Sequence, residues 1–259
     1  MKVIDSHCHI HDSEFYGDDR EQVYERAVQS DVDIICIGTN QQSSLEALQF
    51  AASHDRAWAT IGVHPHDSKD GWGEIASLLN ADISKIVGIG EIGLDYCYDN
   101  SPRQTQVAAL EAQLQLAVDN NLPVSFHVRE AYDDFWSIFD NFPGLRGVLH
   151  SYTDDSDNLE RALSRGLYIG VNGISTFARD KQAVFNMIPL DKMLLETDAP
   201  FLTPVPFRGK VNEPAYVRNI AEYHGSQRDI STDEIIKQTT INAQTLFGFT
   251  KTDRAKNIT

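Results

Sequence analysis

Eight short runs of β-branched and other apolar residues recur along the chain, and this recurrence constrains the fold more than any other feature. The runs are Lys2–Ser6, Ile34–Gly38, Ala57–Gly62, Ile86–Gly90, Pro123–Phe126, Gly147–Leu149, Tyr168–Gly170 and Lys192–Leu195. Helical patterns cover Asp19–Ser30, Ser43–Ser53, Pro102–Asn120, Tyr132–Asn141, Ser156–Arg165, Arg179–Met187, Glu213–His224 and Thr232–Phe247. Strands that are continuously apolar and alternate with helices specify a parallel sheet buried on both faces. Eight such units are the count of an α/β fold of the (β/α)8 TIM-barrel type. An open doubly wound sheet is the alternative with the same alternation. A chain of 259 residues suits one such barrel. No linker, composition shift or fixed-period repeat interrupts it, so residues 1–259 read as one domain with a polar tail over 250–259. Two helix starts carry local signals. Ser101 is placed to cap the helix that Pro102 opens, and Ser231 with Glu234 has the spacing of a capping box.

Polar residues gather where the strands end. The first strand runs into Asp5-Ser6-His7-Cys8-His9, and residues two apart on a strand face the same way, so His7 and His9 point together. The third runs into Gly62-Val63-His64-Pro65-His66, and the fourth into Gly90-Glu91-Ile92-Gly93-Leu94-Asp95. The fifth ends at His127, the sixth at His150, and the eighth at Leu195-Glu196-Thr197-Asp198. Active sites of this barrel are built at that face. His7, His9, His127 and His150 with Glu91 and Asp198 are four imidazoles and two carboxylates, a set able to hold two divalent ions. Their softness leans to a transition metal, with Zn, Mn or Mg as the ions to consider. No thiolate is needed, so Cys8, Cys36 and Cys97 read as small core residues.

The net charge is −16, which disfavours non-specific nucleic-acid coating, a process that rests on Lys and Arg neutralising phosphates. A local basic loop or bound cations would have to hold any nucleic acid. No apolar run approaches a membrane span, the first residues are too short an apolar stretch for a signal peptide, and three cysteines suggest a reducing compartment. The expectation is a cytoplasmic protein with no obligate protein partner.

Several segments together resemble the TatD-related metal-dependent deoxyribonucleases, a family of amidohydrolase-like barrels. They are Asp5–His9, Gly62–His66, Gly90–Asp95, the run His127-Val128-Arg129-Glu130-Ala131, Leu195–Pro200 and the run Arg208-Gly209-Lys210-Val211-Asn212-Glu213-Pro214, and the likeness extends from Val3 to about Phe247. It implies a dinuclear site with His7, His9 and Asp198 on one metal, His127 and His150 on the other, and Glu91 between them. Ser151-Tyr152-Thr153, Val128 and Cys97 depart from the family's usual choices; none removes a ligand, but they leave the pocket lining open. The implied chemistry is hydrolysis of DNA ends by a hydroxide that the two metals activate, with Asp198 as ligand and general base. His64, His66, Arg208 and Lys210 are the expected substrate-binding groups, Arg being suited to phosphate. Arg129 reads as a structural partner for a carboxylate, and Trp72 and Tyr152 as packed loop aromatics. The alternative is a metal-dependent amide or ester hydrolase, such as a D-aminoacyl-tRNA deacylase, because the same two-metal chemistry cleaves carbonyl compounds. The substrate expected is DNA or another phosphodiester, weakly bound.

Overall fold

The computed structural model describes residues 1–79, 83–98 and 100–248. The eight strands are β1 (Val3–Cys8), β2 (Val32–Ile37), β3 (Ala57–Ile61), β4 (Ile86–Asp95), β5 (Val124–Arg129), β6 (Gly147–Leu149), β7 (Tyr168–Val171) and β8 (Met193–Leu195). They form one sheet in chain order, every neighbouring pair parallel. The sheet curls into a nearly closed barrel, with a parallel bridge between Cys8 and Ala199 at the seam. The helices are α1 (Ser13–Tyr16), α2 (Arg20–Gln29), α3 (Gln41–Ser53), α4 (Ile75–Leu78), α5 (Arg103–Asp119), α6 (Tyr132–Phe139), α7 (Ser156–Ser164), α8 (Gln182–Met187), α9 (Val217–Arg228) and α10 (Thr232–Phe247). None of the described helices is long and apolar enough to cross a membrane. The tail expected over 250–259 lies outside the described residues.

Two apolar layers organise the barrel. The larger packs outward-facing strand residues such as Ile34, Ile61, Ile89 and Phe126 against Leu110, Leu114, Phe135, Trp136 and Ile220 of the helices. The smaller joins Ile4, Ile35, Ile37, Val87, Val148 and Leu194 to Ala243, Leu246 and Phe247 from the end of α10. This inner layer closes the end of the barrel at which the strands begin, so the cavity lies at the end where they stop. The helix is held there by its cap, since Ser231 accepts a hydrogen bond from the Glu234 N–H, half of the expected capping box.

Two local expectations are corrected, and one connection has no counterpart among the expected helices. The fourth strand does not stop at Gly90 but continues to Asp95, although glycines at 88, 90 and 93 make the segment look like a loop. The connection from β3 to β4 carries a 3-10 turn (Pro65–Asp70) and the one-turn α4 among its described residues. Ser101 does not cap α5: its hydroxyl donates to the His66 carbonyl (2.6 Å) and accepts from the Lys69 N–H (3.2 Å), and Pro102 holds the cap position without a side-chain bond.

Gly93 shows why the sequence of β4 is what it is. A Cβ there would stand 1.7 Å from the His127 carbonyl oxygen, and its φ of 156° is one that side chains rarely adopt. Replacing Gly93 by Ala is therefore expected to destabilise the fold by about 3 kcal/mol or more, through backbone clash rather than lost packing. Equilibrium denaturation of wild type and variant measures this directly.

A second expected outcome concerns acid. His224 of α9 is buried, with Nε2 3.0 Å from the Ser175 hydroxyl. Burial, with help from the Arg228 guanidinium, pushes its pKa down to about 3. The unfolded chain protonates this group near pH 6.5, so between those values the unfolded state binds the extra proton and stability falls as pH drops. His224→Gln should shrink the stability lost between pH 7.5 and pH 5.0 by roughly 2 kcal/mol, measured by denaturation of both proteins at both pH values.

Candidate metal centre

The seam of the barrel sets the first part of the site. The Asp5 carboxylate accepts from the Thr197 N–H (2.8 Å) and hydroxyl (2.6 Å), tying β1 to the segment after β8. The Asp198 N–H then donates to the His7 carbonyl (2.8 Å), and the His9 N–H to the Ala199 carbonyl (2.7 Å). These bonds bring His7, His9 and Asp198 side by side. The Nε2 atoms of His7 and His9 lie 3.5 and 3.3 Å from Asp198 Oδ1.

Glu91 stands at the centre, buried on β4. Its Oε2 lies 3.4 Å from His7 Nε2, while its Oε1 lies 2.9 Å from His127 Nδ1 and 2.9 Å from His150 Nε2. One oxygen thus faces each half of the site. His64 Nε2 is 3.6 Å from the same Oε1. All six residues expected to ligate metal from their strand-end positions therefore converge at one end of the barrel, around a cavity of about 860 Å³.

The second nitrogens of the rings decide what the first ones can do. His9 Nδ1 lies 3.0 Å from the Ile37 carbonyl, an oxygen that can only accept, so Nδ1 carries a proton and Nε2 is the nitrogen turned to Asp198. His127 Nε2 faces Asp95 Oδ2 at 3.0 Å and His150 Nδ1 faces Glu196 Oε1 at 3.4 Å. Asp95 fixes a ring proton on the outer nitrogen of His127, Glu196 stands opposite the outer nitrogen of His150, and both inner nitrogens turn toward Glu91. An imidazole whose outer N–H is committed to a carbonyl or carboxylate is an oriented metal ligand. His64 is the reverse case. Its Nδ1 accepts the His66 N–H at 3.2 Å, so its Nε2 carries the proton and acts as a donor into the cavity.

The electrostatics agree with a cation site. Burial opposes charge on Glu91, but His150, His64 and His7 and a hydrogen bond from His127 hold its carboxyl well below the usual carboxylate range. Burial likewise opposes charge on Asp198, and the hydrogen bond from His9 together with His150 and His7 lowers it. Burial and neighbouring imidazoles keep His7 and His64 neutral, and His7 Nε2 is a buried atom without a hydrogen-bond partner. Donor atoms of His7, His9 and Asp198, of His64, Glu91 and His127, and of His7, His150 and Glu196 each lie within 4.8 Å of one another, so each group could hold a metal ion.

Several functional-looking residues fall where the sequence did not point. Asp95 links His66 and His127 through Oδ2, at 2.9 and 3.0 Å, and Oδ1 accepts the N–H groups of Cys97 and Tyr98. Glu196, buried behind His150, accepts the Ser151 N–H at 2.6 Å and an Asn172 amide hydrogen at 3.4 Å. Both sit in the quoted strand-end segments, and strand parity beside His127 and His150 was the signal that could have found them. His64 and His66 line the cavity, whereas Arg208 and Lys210 do not. Arg208 lies over the Phe177 ring at 3.8 Å and donates to the Thr203 carbonyl, and the Lys210 ammonium sits 5.7 Å from the Phe207 ring. The guanidinium that does line the cavity belongs to Arg129. It stacks over Tyr98 at 4.8 Å and has no carboxylate within ion-pair distance among the described residues, contrary to its expected structural pairing. Tyr152 is packed, its hydroxyl donating to the Asp155 carbonyl, and Trp72 is packed against the outer core.

The family model described as TatD related DNase matches residues 4–248. A Bacillus subtilis protein called an uncharacterized metal-dependent hydrolase, YabD, is 35% identical over 95% of this chain and 98% of its own length. The 3'-5' ssDNA/RNA exonuclease TatD of Erwinia tasmaniensis is 38% identical over 90% of this chain and 95% of that protein. Among solved structures, the TatD homologue YjjV of Escherichia coli superposes with a TM-score of 0.87 at 31% identity, covering 95% of this chain and 98% of that one. With a match across nearly the whole barrel, the chain belongs to the TatD-related DNase family.

Proposed function

We propose that the chain is a metal-dependent exonuclease that removes nucleotides from the 3' end of single-stranded DNA. The observation that carries this reading is that the inner nitrogens of His9, His127 and His150 turn to Asp198 and Glu91, while the outer nitrogens of His9 and His127 bond a carbonyl and a carboxylate. His7, His9 and Asp198 would hold one divalent cation and His127 and His150 a second, with Glu91 offering one oxygen to each. Zinc, manganese or magnesium held there would supply Lewis acidity toward a phosphoryl oxygen and bring the pKa of a water near neutrality.

The chain's own groups then have distinct tasks. Asp198 Oδ1 is engaged by His7 and His9, so the proton released by the attacking water is taken up at Oδ2. The His64 Nε2–H donates to a phosphoryl oxygen, an orientation its Nδ1 bond from the His66 backbone maintains. Arg129 lines the same cavity and offers a planar fork of donors to an adjacent phosphate. Arg208 and Lys210, outside the lining, act on the approaching strand at most from a distance. With a net charge of −16, long-range attraction is absent and duplex DNA is bound weakly. The relatives named as 3'-5' ssDNA/RNA exonucleases support the choice of an end and of a single strand.

The deciding experiment offers the metal-reconstituted protein a single-stranded oligodeoxynucleotide labelled at either end, the corresponding duplex and a D-aminoacyl ester. Shortening from the 3' end, slower on the duplex, is the expected result. Hydrolysis of the ester with intact oligonucleotides would give the protein to the deacylase reading instead.

Activity should vanish with chelator and return on adding divalent metal. Asp198→Asn is expected to lower kcat by about 10²–10⁴-fold, checked by steady-state kinetics with metal content measured in each preparation. Asp95→Asn removes the group that orients His127 and should weaken metal binding by about 10–100-fold, read by calorimetric titration of the metal-free protein.

A further inference from the structure

Three large aromatic side chains stand exposed at the mouth of the cavity, and one of them, Tyr98, is covered by the Arg129 guanidinium at 4.8 Å. Phe15 is 50% and Phe201 45% exposed, yet both line the cavity. Their rings meet edge to face with centroids 5.0 Å apart, and Phe201 lies 6.3 Å from the His9 ring. Exposed phenylalanine is disfavoured in water, so a rigid pair beside the site calls for an occupant.

The pair is rigid because one residue fastens both members. Asn212 donates from its side-chain amide to the Phe201 carbonyl (2.6 Å) and to the Thr197 carbonyl (2.8 Å), and from its N–H to the Pro200 carbonyl (3.0 Å). Its own carbonyl accepts from the buried Tyr16 hydroxyl at 2.7 Å, which fixes α1 and with it Phe15. The Phe201 N–H donates to the Asp198 carbonyl at 2.8 Å. The aromatic ledge is thus anchored to the backbone of Asp198 itself, and little freedom is lost when something settles on it.

We propose that Phe15 and Phe201 form a nucleobase subsite on which the base next to the scissile phosphodiester stacks. The inference rests on the nuclease reading and adds to it the place where the base is held. The cavity is divided in the way a nucleotide is divided. An apolar aromatic wall lies beside His9 and Asp198, and imidazoles with the Arg129 guanidinium lie farther round the same cavity. A base needs the first and a phosphate the second. Stacking on a ring face accepts any base, so the subsite grips an end without selecting its sequence. Tyr152 and Trp72 are packed within the fold and Tyr98 lies under the Arg129 guanidinium, which leaves this ledge as the stacking surface beside Asp198.

The test compares a single-stranded oligodeoxynucleotide with a counterpart in which the two nucleotides at each end are abasic. Wild type should favour the base-bearing strand in kcat/KM by about tenfold or more, the order of one stacking contact. Phe201→Ala and Phe15→Ala should bring that ratio toward one, Phe201→Tyr should keep it, and Phe201→Leu, apolar but without a ring, should lose it. An unchanged ratio in both alanine variants, or a wild type indifferent to the missing bases, overturns the subsite while leaving the nuclease reading in place. Hydrolysis of a D-aminoacyl ester with neither oligonucleotide cleaved overturns the nuclease reading and the subsite together.

Discussion

A single buried carboxylate, Glu91, is the charge around which this protein is arranged. Placing an anion in a barrel interior is costly unless it is paired and hydrogen-bonded. Imidazoles from β1, β5, the end of β6 and the loop after β3 surround it, with contacts between 2.9 and 3.6 Å. Each of those rings is in turn fixed from behind. The Ser125 hydroxyl lies beside His7, Asp95 holds His127, Glu196 stands 3.4 Å behind His150, and the His66 backbone holds His64. The geometry of the site is therefore inherited from strand register. Gly93 pairs with His127 along β4 and β5, and the lack of a side chain there lets the two strands approach closely enough for Glu91 and His127 to meet.

The two shells of the site differ in how visible they are in a sequence. His7 and His9 are legible because strand parity puts them on one side, and Glu91 because a carboxylate among glycines and isoleucines invites a partner. The barrel is legible because its strands are apolar on both faces. Asp95 is hidden by glycines that mimic a loop, so that β4 looks shorter than it is. Glu196 is hidden by its neighbour Asp198, which takes the ligand-like position. Which cation faces the cavity is a matter of side-chain direction, and composition says nothing of it. Arg208 and Lys210 sit in a Pro- and Gly-rich loop whose hydrogen bonds turn them to Phe177 and Phe207, while Arg129 follows the parity of His127 into the mouth.

The charge economy of the molecule follows the same division. Carboxylates outnumber cationic side chains, 38 to 22, and at the cavity six histidines and Arg129 stand among five carboxylates. The donors of His64 and Arg129 face the place a phosphate would take, in a molecule whose net charge is −16. On the nuclease reading, that net charge would discriminate against long, highly charged polymers and the mouth would recognise an end.

The floor formed by the last turn of α10 has a consequence for traffic. Leu246 and Phe247 pack with the inward residues of the strands and seal the barrel at one end, so the cavity is a cup and not a tunnel. A strand cannot be threaded through it, and a released fragment must leave by the opening through which the strand came in. On the nuclease reading, the shortened strand must back away before the next end can enter, so the chain would let go after each cut and behave as a distributive trimmer.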